Sequence, residues 1–323
     1  MRPLKFHPIL KQTLWGGERI IPYKELASGL SRVGESWELS GMPGSESVVA
    51  EGPWAGSTLS ELIGRFGAEL LGKANYARFG QEFPLLVKFI DAREDLSIQV
   101  HPDDELARKR HGKSGKCEMW YVLEAEPGAS LLTGFSRPIA PAEYERRVTD
   151  NTLTDVLNRQ AIASGDVFYL PAGRVHSIGK GSFIVEIQQS SDITYRIYDF
   201  DRRDAAGNSR ELHTELAREA IDFESSENSR ITYAPENNQE VRLVTTPYFT
   251  TSLYTLTART RCDWSATDSF VAIVLLQGSG SLTDNEGNRI DVRQGETWLL
   301  PASTQWTEIT PHTAPLRLLT SRI

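Results

Sequence analysis

The sequence predicts a mainly β fold of two jelly-roll β-barrel domains with a few inserted helices. Two observations carry this prediction. Short apolar or alternating runs recur between Gly, Pro and Asn residues, which is the pattern of barrels and jelly rolls. In addition, one phrase occurs twice, as GDVFYLPA at residues 165–172 and as GETWLLPA at residues 295–302. The repetition of a turn, an apolar strand and a Pro-Ala exit indicates two related barrels.

The predicted strands occupy both halves of the chain. Four lie within the first 190 residues, at residues 83–90, 119–123, 167–170 and 183–187. In the second half, residues 241–261 alternate, residues 270–276 are apolar throughout, and residues 284–288 (DNEGN) are typical of a hairpin turn. The intervening residues 224–240, rich in Ser, Asn and Glu, have the composition of a linker. We therefore expect a first domain at residues 1–235 and a second at residues 236–323.

Three helices are expected among the strands of the first domain. The first begins after Thr58, because Thr58 and Glu61 form a capping-box pattern ahead of an apolar face. The second covers residues 103–111 and ends at Gly112. The third covers residues 141–157, with a proline near its start and acidic residues in its first turn.

Composition restricts the partners and the compartment of the 323-residue chain. Its net charge of -8 argues against nucleic-acid or anionic-membrane partners, since both require a positive surface. No run approaches the roughly 18 apolar residues that a membrane helix needs, and the N-terminal residues lack the apolar region of a signal peptide. The two cysteines, Cys117 and Cys262, give no disulfide framework. We expect a cytoplasmic protein, and the sequence leaves open whether it is a monomer or a homodimer.

Four residues form a candidate metal site in the first domain. Gln99 and His101 stand two positions apart, so on a strand their side chains share a face. Glu118 opens a predicted strand, and His176 follows the exit of another. Two imidazoles, a carboxylate and an amide oxygen make a mixed nitrogen and oxygen site that suits Zn²⁺. In the second copy of the repeated phrase Trp306 stands at the position of His176, so we expect the metal in the first barrel alone.

Each of these residues also has an ordinary structural interpretation. His101 precedes a proline and is compatible with a turn histidine, and Glu118 is compatible with a solvated charge at a strand start. The joint pattern favours the metal interpretation. Other histidines lack this context and are expected at the surface or in packing: His111, His213 and His312.

Five separated segments resemble the signature segments of type I mannose-6-phosphate isomerases, which are zinc enzymes of the cupin superfamily. They are residues 84–88 (PLLVK), 96–102 (LSIQVHP), 115–121 (GKCEMWY), 171–179 (PAGRVHSIG) and 191–196 (SDITYR). The last segment, continued to residue 202, is similar to the arginine segment of the short bacterial branch, and residues 14–17 and 34–38 match its N-terminal phrases. The resemblance covers about residues 3–215, and the chain length also fits the short branch.

The resemblance implies interconversion of D-mannose 6-phosphate and D-fructose 6-phosphate with one Zn²⁺ per chain. By position, the zinc ligands of the family fall on Gln99, His101, Glu118 and His176. Its catalytic arginine falls on Arg196, and its active-site lysines fall on Lys88 and Lys116. The longer branch of the family carries a histidine directly before the second lysine, where this chain has Gly115. A mechanism that uses that histidine as the base is therefore not expected here.

Moving a carbonyl from C1 to C2 requires a proton carrier and stabilisation of an enediolate. A metal ion can bind the carbonyl and hydroxyl oxygens, and Arg196 adds a positive charge that persists at any working pH. Lys116 is the first candidate for the proton carrier, because a nearby Zn²⁺ and Arg196 favour the neutral amine that accepts a proton. His101 is the rival candidate. Asp192 is expected to orient Arg196.

The phosphate group of such a substrate requires cations or other donors. Lys88, Arg174 and Arg202 are candidates, with a hydroxyl from Ser36. For Lys88 the alternative is a stem that lies along apolar surface. Three tryptophans near the motifs are expected either to wall the pocket or to pack in the core: Trp15, Trp37 and Trp120.

Two other functions are compatible with the same fold, since fold alone does not settle function. One is another metal-dependent cupin enzyme, such as an iron dioxygenase. Gln99 argues against it, because an amide oxygen is a poor replacement for a third imidazole. The other is a non-catalytic sugar-phosphate-binding protein. The joint presence of the metal ligands, Lys116 and Arg196 argues against this second alternative, since a sensor has no need of all of them.

Overall fold

The structure, a computed structural model, describes residues 1–224 and 228–323. Short antiparallel strands dominate it, as the sequence predicts. In chain order the strands are β1 (Leu4–Lys5), β2 (Ile9–Gly17), β3 (Val33–Leu39), β4 (Gly41–Met42), β5 (Ser45–Glu46), β6 (Leu85–Ala92), β7 (Ile98–Val100), β8 (Glu118–Ala125), β9 (Ser130–Phe135), β10 (Leu157–Ala161), β11 (Val167–Leu170), β12 (His176–Ile178), β13 (Ser182–Gln189), β14 (Tyr195–Tyr198), β15 (Arg230–Ile231), β16 (Val241–Thr245), β17 (Thr250–Leu256), β18 (Thr260–Asp263), β19 (Val271–Gln277), β20 (Ser279–Asp284), β21 (Arg289–Arg293), β22 (Thr297–Leu300), β23 (Trp306–Pro311) and β24 (Leu316–Arg322).

The helices are short and lie between strands within the first 220 residues of the chain. They are α1 (Ile20–Tyr23), α2 (Leu59–Phe66), α3 (Ala68–Leu71), α4 (Lys73–Phe79), α5 (Asp104–His111), α6 (Pro141–Thr149), α7 (Thr214–Ala220) and a 3₁₀ helix (Leu153–Val156). Within the described residues, no helix is long and apolar enough to cross a membrane.

The first barrel consists of two antiparallel sheets. One has seven strands in the order β15-β11-β8-β13-β6-β2-β3, and the other has five in the order β10-β9-β12-β7-β14. Residues of both sheets form one apolar cluster, which includes Trp15, Trp120, Phe168 and Ile178. This arrangement brings the ends of β7, β8 and β12, which carry the predicted metal ligands, to one region of the barrel.

The second barrel consists of a six-stranded sheet, β1-β22-β19-β24-β17-β16, and a four-stranded sheet, β18-β23-β20-β21. Large side chains fill it, among them Tyr254, Trp264 and Trp298. A further apolar cluster joins the seven-stranded and six-stranded sheets, with Phe89 on one side and Phe270 on the other. The N-terminal strand β1 pairs with β22 and so belongs to the second barrel. The domain division at residues 235 and 236 stays a prediction.

The repeated phrase is a repeated piece of structure. Gly165 and Gly295 both have positive φ, 92° and 80°, which a glycine adopts without strain. Each turn leads into a four-residue strand, β11 or β22, in the larger sheet of its barrel. His176 then begins β12, and Trp306 begins β23, in the smaller sheets. The predicted equivalence of His176 and Trp306 is therefore confirmed.

The helix predictions hold in two cases and fail in part in the third. Thr58 and Glu61 form the predicted capping box of α2, and Gly112 ends α5 in a left-handed conformation. The third helix stops at Thr149 rather than at residue 157, because Asn151 has a φ of 53° that interrupts the helix. The predicted linker contains β15, which pairs with β11, and its residues 225–227 lie outside the described residues. Both cysteines are free and buried.

Candidate metal centre and active site

Strand alternation directs charged side chains into the apolar first barrel. On β13, Ile184 belongs to the cluster inside the barrel, and its neighbours in sequence face the cluster shared with the second barrel. Glu186 is two residues further along and therefore faces inward with Ile184. Glu186 pairs in register with Lys88 of β6 on one side and with Trp120 of β8 on the other. Glu118, two residues before Trp120, faces the same interior.

The predicted metal ligands meet in this interior. His176 of β12 pairs in register with Gln99 of β7, and His101 follows β7 directly. One ligand atom from each of His101, Glu118 and His176 lies within 4.8 Å of the others. All three side chains are buried, with residue exposures of 1%, 0% and 1%. The amide head of Gln99 lies 3.4 Å from Nε2 of His176, so all four predicted ligands are neighbours.

Backbone hydrogen bonds fix the orientation of both imidazoles. Nδ1–H of His101 donates to the carbonyl of Ile193 at 2.8 Å, and Nδ1–H of His176 donates to the carbonyl of Arg174 at 2.8 Å. Because a carbonyl oxygen only accepts, the proton of each ring sits on Nδ1, and each Nε2 keeps its lone pair. Such outer contacts are the ones that orient histidine ligands of metals.

The electrostatic environment keeps both imidazoles neutral. Burial, followed by the charge of Lys116, lowers the pKa of His176 to about 4. The same two causes place the pKa of His101 well below its ordinary value. Burial and the negative charge of Glu186 raise the pKa of Glu118. A cation held beside Glu118 favours its ionised form and counteracts that rise.

An unpaired buried oxygen tests whether these residues fit a metal ion. Oε1 of Glu118 has no hydrogen-bond partner among the described residues, and it lies 3.2 Å from Nε2 of His176. When Glu118 is ionised, both atoms are acceptors and no hydrogen bond joins them, so a cation between them satisfies both. Two imidazole nitrogens, a carboxylate and an amide are also ligand types that borderline divalent ions accept. The residues therefore fit a divalent metal ion.

Lys116 lies at the same point of the barrel. Its Nζ donates to the Glu118 carboxylate and is 3.1 Å from Nε2 of His101. Lys116 is 4% exposed and also lines the adjoining cavity. Its four-carbon stem allows the amine to leave the two ligands for that cavity when a cation takes its place.

Glu186, which the sequence analysis missed, holds a second buried cation, the amine of Lys88. Nζ of Lys88 lies 2.9 Å from Oε1 of Glu186, and the indole N–H of Trp120 donates to Oε2 of Glu186 at 2.9 Å. Burial opposes the charge of Lys88, but the carboxylates of Glu186, Glu35 and Glu118 together outweigh it, so the pKa of Lys88 is raised. The available signal for Glu186 was a single acidic residue inside an otherwise apolar strand, since a buried charge needs a partner.

A cavity of about 190 Å³ adjoins these groups. The predicted residues Gln99, Lys88, Lys116, Arg196 and Asp192 all line it. Two of the three tryptophans named from sequence, Trp15 and Trp37, wall it as well. Trp120 is instead fully buried and packs edge-on against the ring of His176, with centroids 5.4 Å apart.

Arg196 is held by partners other than the one predicted. Its Nη1 donates to the carbonyl of Glu211 at 2.9 Å. Asp192, which was expected to orient it, accepts a hydrogen bond from Lys113 at 3.0 Å, and the Asp192 side chain is 49% exposed. The expected pairing of Asp192 with Arg196 is therefore replaced by backbone support, because the Asp192 carboxylate turns toward the surface.

The residues proposed to bind the phosphate do not all line the cavity. Lys88 lines the cavity, but Arg174 and Arg202 are not among its lining residues. The Ser36 hydroxyl donates to Glu38 at 2.6 Å on the opposite face of β3, because alternation sends its neighbours rather than Ser36 into the cavity.

Arg210 lines the cavity and was missed by the sequence analysis. Its Nε donates to Oδ2 of Asp199 at 2.8 Å, and Arg202 donates to the same carboxylate at 3.2 Å. Asp199 is 5% exposed, so this carboxylate fixes both guanidinium groups from a buried position. Arg210 lies in a polar segment without strand or helix periodicity, and nothing in the local sequence pattern marks it.

Comparisons with known proteins agree with this geometry. A family profile described as phosphomannose isomerase type I, catalytic domain, matches residues 4–131. The chain is 34% identical over 303 residues to the probable mannose-6-phosphate isomerase GmuF of Bacillus subtilis, with 93% of each chain covered. It is also 34% identical over 303 residues to the mannose-6-phosphate isomerase ManA of the same organism, again with 93% of each covered.

A solved structure extends the comparison to the whole fold. The crystal structure of the mannose 6-phosphate isomerase from Bacillus subtilis superposes with a TM-score of 0.90 at 30% identity and covers 100% of both chains. The similarity in sequence spans nearly the whole of GmuF and of ManA. The cupin-like fold predicted from sequence is the fold of the solved Bacillus subtilis structure. The chain thus belongs to the type I mannose-6-phosphate isomerase family.

Proposed function

We propose that this protein interconverts D-mannose 6-phosphate and D-fructose 6-phosphate with one Zn²⁺ per chain. The zinc ligands are Gln99, His101, Glu118 and His176. The observation that carries the proposal is that a buried set of metal ligands lies beside a cavity lined by charged side chains. Three ligand atoms within 4.8 Å of one another adjoin a cavity that Lys116 and Arg196 line.

The donor set is compatible with zinc, and zinc is preferred over iron because the chain resembles a family of zinc enzymes. His101 and His176 present neutral Nε2 atoms, and the third and fourth donors are oxygens of Glu118 and Gln99. A site with two imidazoles and only oxygen donors besides is compatible with zinc, and leaves room for substrate oxygens. When bound there, Zn²⁺ supplies Lewis-acid stabilisation of negative charge on the two oxygens at C1 and C2.

Lys116 moves the proton in this proposal. Its amine takes the proton from C2 of mannose 6-phosphate and returns it to C1, while the hydroxyl proton passes from O2 to O1. The number of protons is unchanged, as an isomerisation requires. Burial of Lys116 beside His101 and Glu118 supports this role, because it excludes bulk water from the transfer.

The remaining charged groups bind and orient the sugar. Arg196 stabilises the charge that develops on the enediolate, and its support by the Glu211 carbonyl orients it beforehand. Lys88, neutralised by Glu186, donates hydrogen bonds to sugar oxygens from the cavity wall. Asp192 contacts sugar hydroxyls at the cavity edge.

The phosphate is assigned to Arg210. This guanidinium lines the cavity and is braced by Asp199, so it provides a fixed donor for an anionic oxygen. The acidic net charge of the chain makes such a local cation necessary for an anionic substrate.

A turnover assay with mannose 6-phosphate tests the proposal. Zinc-loaded protein is expected to form fructose 6-phosphate and to reach the same equilibrium mixture from either sugar phosphate. Lys116→Ala is expected to lose turnover, and Lys109→Ala, which changes an exposed lysine of α5, is expected to keep it. A zinc-loaded protein that binds mannose 6-phosphate without turnover would support the non-catalytic alternative. Bound iron with oxygen consumption would support the dioxygenase alternative.

A further inference from the structure

We infer that Asp104, Gln189 and Tyr248 form a clamp that positions Lys116, and that the second half of the chain contributes to the reaction through Tyr248. We call these three residues the clamp. The inference rests on the proposed function, in which Lys116 carries the proton. None of the three lines the catalytic cavity, so they act on Lys116 rather than on substrate.

Gln189 holds the residue that follows Lys116. It ends β13 and is 7% exposed. Its side-chain Oε1 accepts a hydrogen bond from the backbone N–H of Cys117 at 2.9 Å. The backbone N–H of Gln189 donates to the Cys117 carbonyl at 3.1 Å. Its Nε2 donates to Oδ1 of Asp104 at 3.1 Å. The side chain thereby links the backbone beside Lys116 to α5.

Asp104 holds the residue that precedes Lys116. Its Oδ1 accepts from the backbone N–H of Gly115 at 2.8 Å as well as from Gln189. The N–H of Lys116 itself donates to the carbonyl of Pro102 at 3.1 Å. Three consecutive N–H groups, at residues 115, 116 and 117, therefore have fixed acceptors, and two of these acceptors are side chains of the clamp.

The segment also packs too closely for any side chain at position 115. A Cβ added to Gly115 lies 2.5 Å from the carbonyl carbon of Asp103 and 2.6 Å from the nitrogen of Asp104. The histidine that the longer branch carries at this position has no space here. In this chain the clamp, rather than a neighbouring side chain, fixes the start of β8.

Tyr248 connects the clamp to the second half of the chain. It lies between β16 and β17, and its side chain lines the same cavity as Asp104 and Gln189. Burial and the charge of Asp104 raise the pKa of Tyr248 to about 12, so the phenol stays a donor at neutral pH. All three clamp residues line a separate cavity of about 430 Å³, so substitutions there do not open a hole in a packed apolar core.

Steady-state kinetics of clamp variants in the full-length, zinc-loaded protein test the inference. Gln189→Leu and Asp104→Ala are expected to lower kcat by roughly 10- to 100-fold, since small misplacements of a reacting group have effects of that size. The KM for mannose 6-phosphate and the zinc content are expected to stay within about twofold of the parent. Asp104→Asn keeps the Oδ1 acceptor and is expected to restore kcat, and Tyr248→Phe is expected to lower it by less than Asp104→Ala.

Two comparisons separate positioning from a general structural role. Arg108→Ala changes a residue of the same cavity outside the clamp and is expected to leave kcat unchanged. Adding Gln189→Leu to Lys116→Ala is expected to lower the residual kcat no further, because the clamp acts through Lys116. A parallel loss of kcat, zinc and substrate affinity in the clamp variants would overturn the inference, as would unchanged kcat in variants that remain folded by thermal unfolding.

The outcomes also distinguish this inference from the proposed function. A parent protein without turnover of mannose 6-phosphate contradicts the function itself. Normal turnover in the parent and in the Gln189→Leu variant contradicts only the clamp. If Lys116→Ala keeps the kcat of the parent protein, Lys116 is not the proton carrier. That result would contradict the inference about the clamp as well.

Discussion

Replacement of Arg196 by alanine is expected to lower kcat by roughly 10²- to 10³-fold while the protein keeps its metal, since loss of one preorganised donor to a developing oxyanion has effects of this size. Arg196 lines the cavity beside Gln99 and Lys116 but contacts none of the buried ligand atoms. Its contribution is made in the transition state, so the KM for mannose 6-phosphate is expected to change little. Steady-state kinetics together with elemental analysis of bound zinc check both parts.

Arg137→Ala is the matched control for this variant. Arg137 is an exposed arginine paired with Glu143, and its loss is expected to leave kcat and zinc content unchanged. If Arg196→Ala instead loses zinc, the residue has a structural role at the metal site. An unchanged kcat would remove Arg196 from the mechanism.

Replacement of His176 by alanine is expected to abolish both zinc binding and turnover. The imidazole provides one of three buried ligand atoms and faces Oε1 of Glu118 at 3.2 Å. Loss of even a hydrogen-bond partner of a ligand lowers metal affinity by roughly 10- to 100-fold, and loss of the ligand itself is expected to exceed that. Equilibrium dialysis against zinc and the turnover assay measure the two effects.

His312→Ala controls for histidine replacement in general. His312 is exposed in the second barrel, and its variant is expected to match the parent in zinc affinity and in turnover. Retention of one tightly bound zinc by His176→Ala would show that the metal lies elsewhere. That result would contradict the ligand assignment regardless of its effect on kcat.

Local sequence patterns were sufficient to locate the strands that hold the site. The spacing of Gln99 and His101, the position of Glu118 at a strand start and the turn before His176 each depend on neighbours in sequence, and the structure has them as expected. The same is true of α5, whose start and end depend on Asp103 and Gly112. Such features are encoded within a few residues and are readable from one chain.

Features that depend on remote pairing were not readable in this way. Glu186 acquires its importance only because β13 places it between Lys88 and Trp120. Arg210 reaches the cavity through a buried contact with Asp199. The register between distant strands decides these neighbours, and no local pattern specifies it.

Side-chain direction accounts for the remaining errors. Ser36 was considered for phosphate binding because it stands in a matching phrase, but it faces Glu38 on the other side of its strand. Asp192 is near Arg196 in sequence, yet it pairs with Lys113. Ser36 faces away from the cavity because successive side chains on a strand face opposite sides, whereas Asp192 lies in the loop before β14 and points to a surface lysine.

The central claim is that one zinc ion in the first barrel makes this protein a mannose-6-phosphate isomerase. Stepwise addition of Zn²⁺ to chelator-treated protein, with turnover and bound zinc measured at each step, tests it most directly. We expect no turnover in the metal-free protein, a linear rise with bound zinc and a plateau at one zinc per chain. Full turnover in the metal-free protein, or none in the zinc-saturated protein, would contradict the claim.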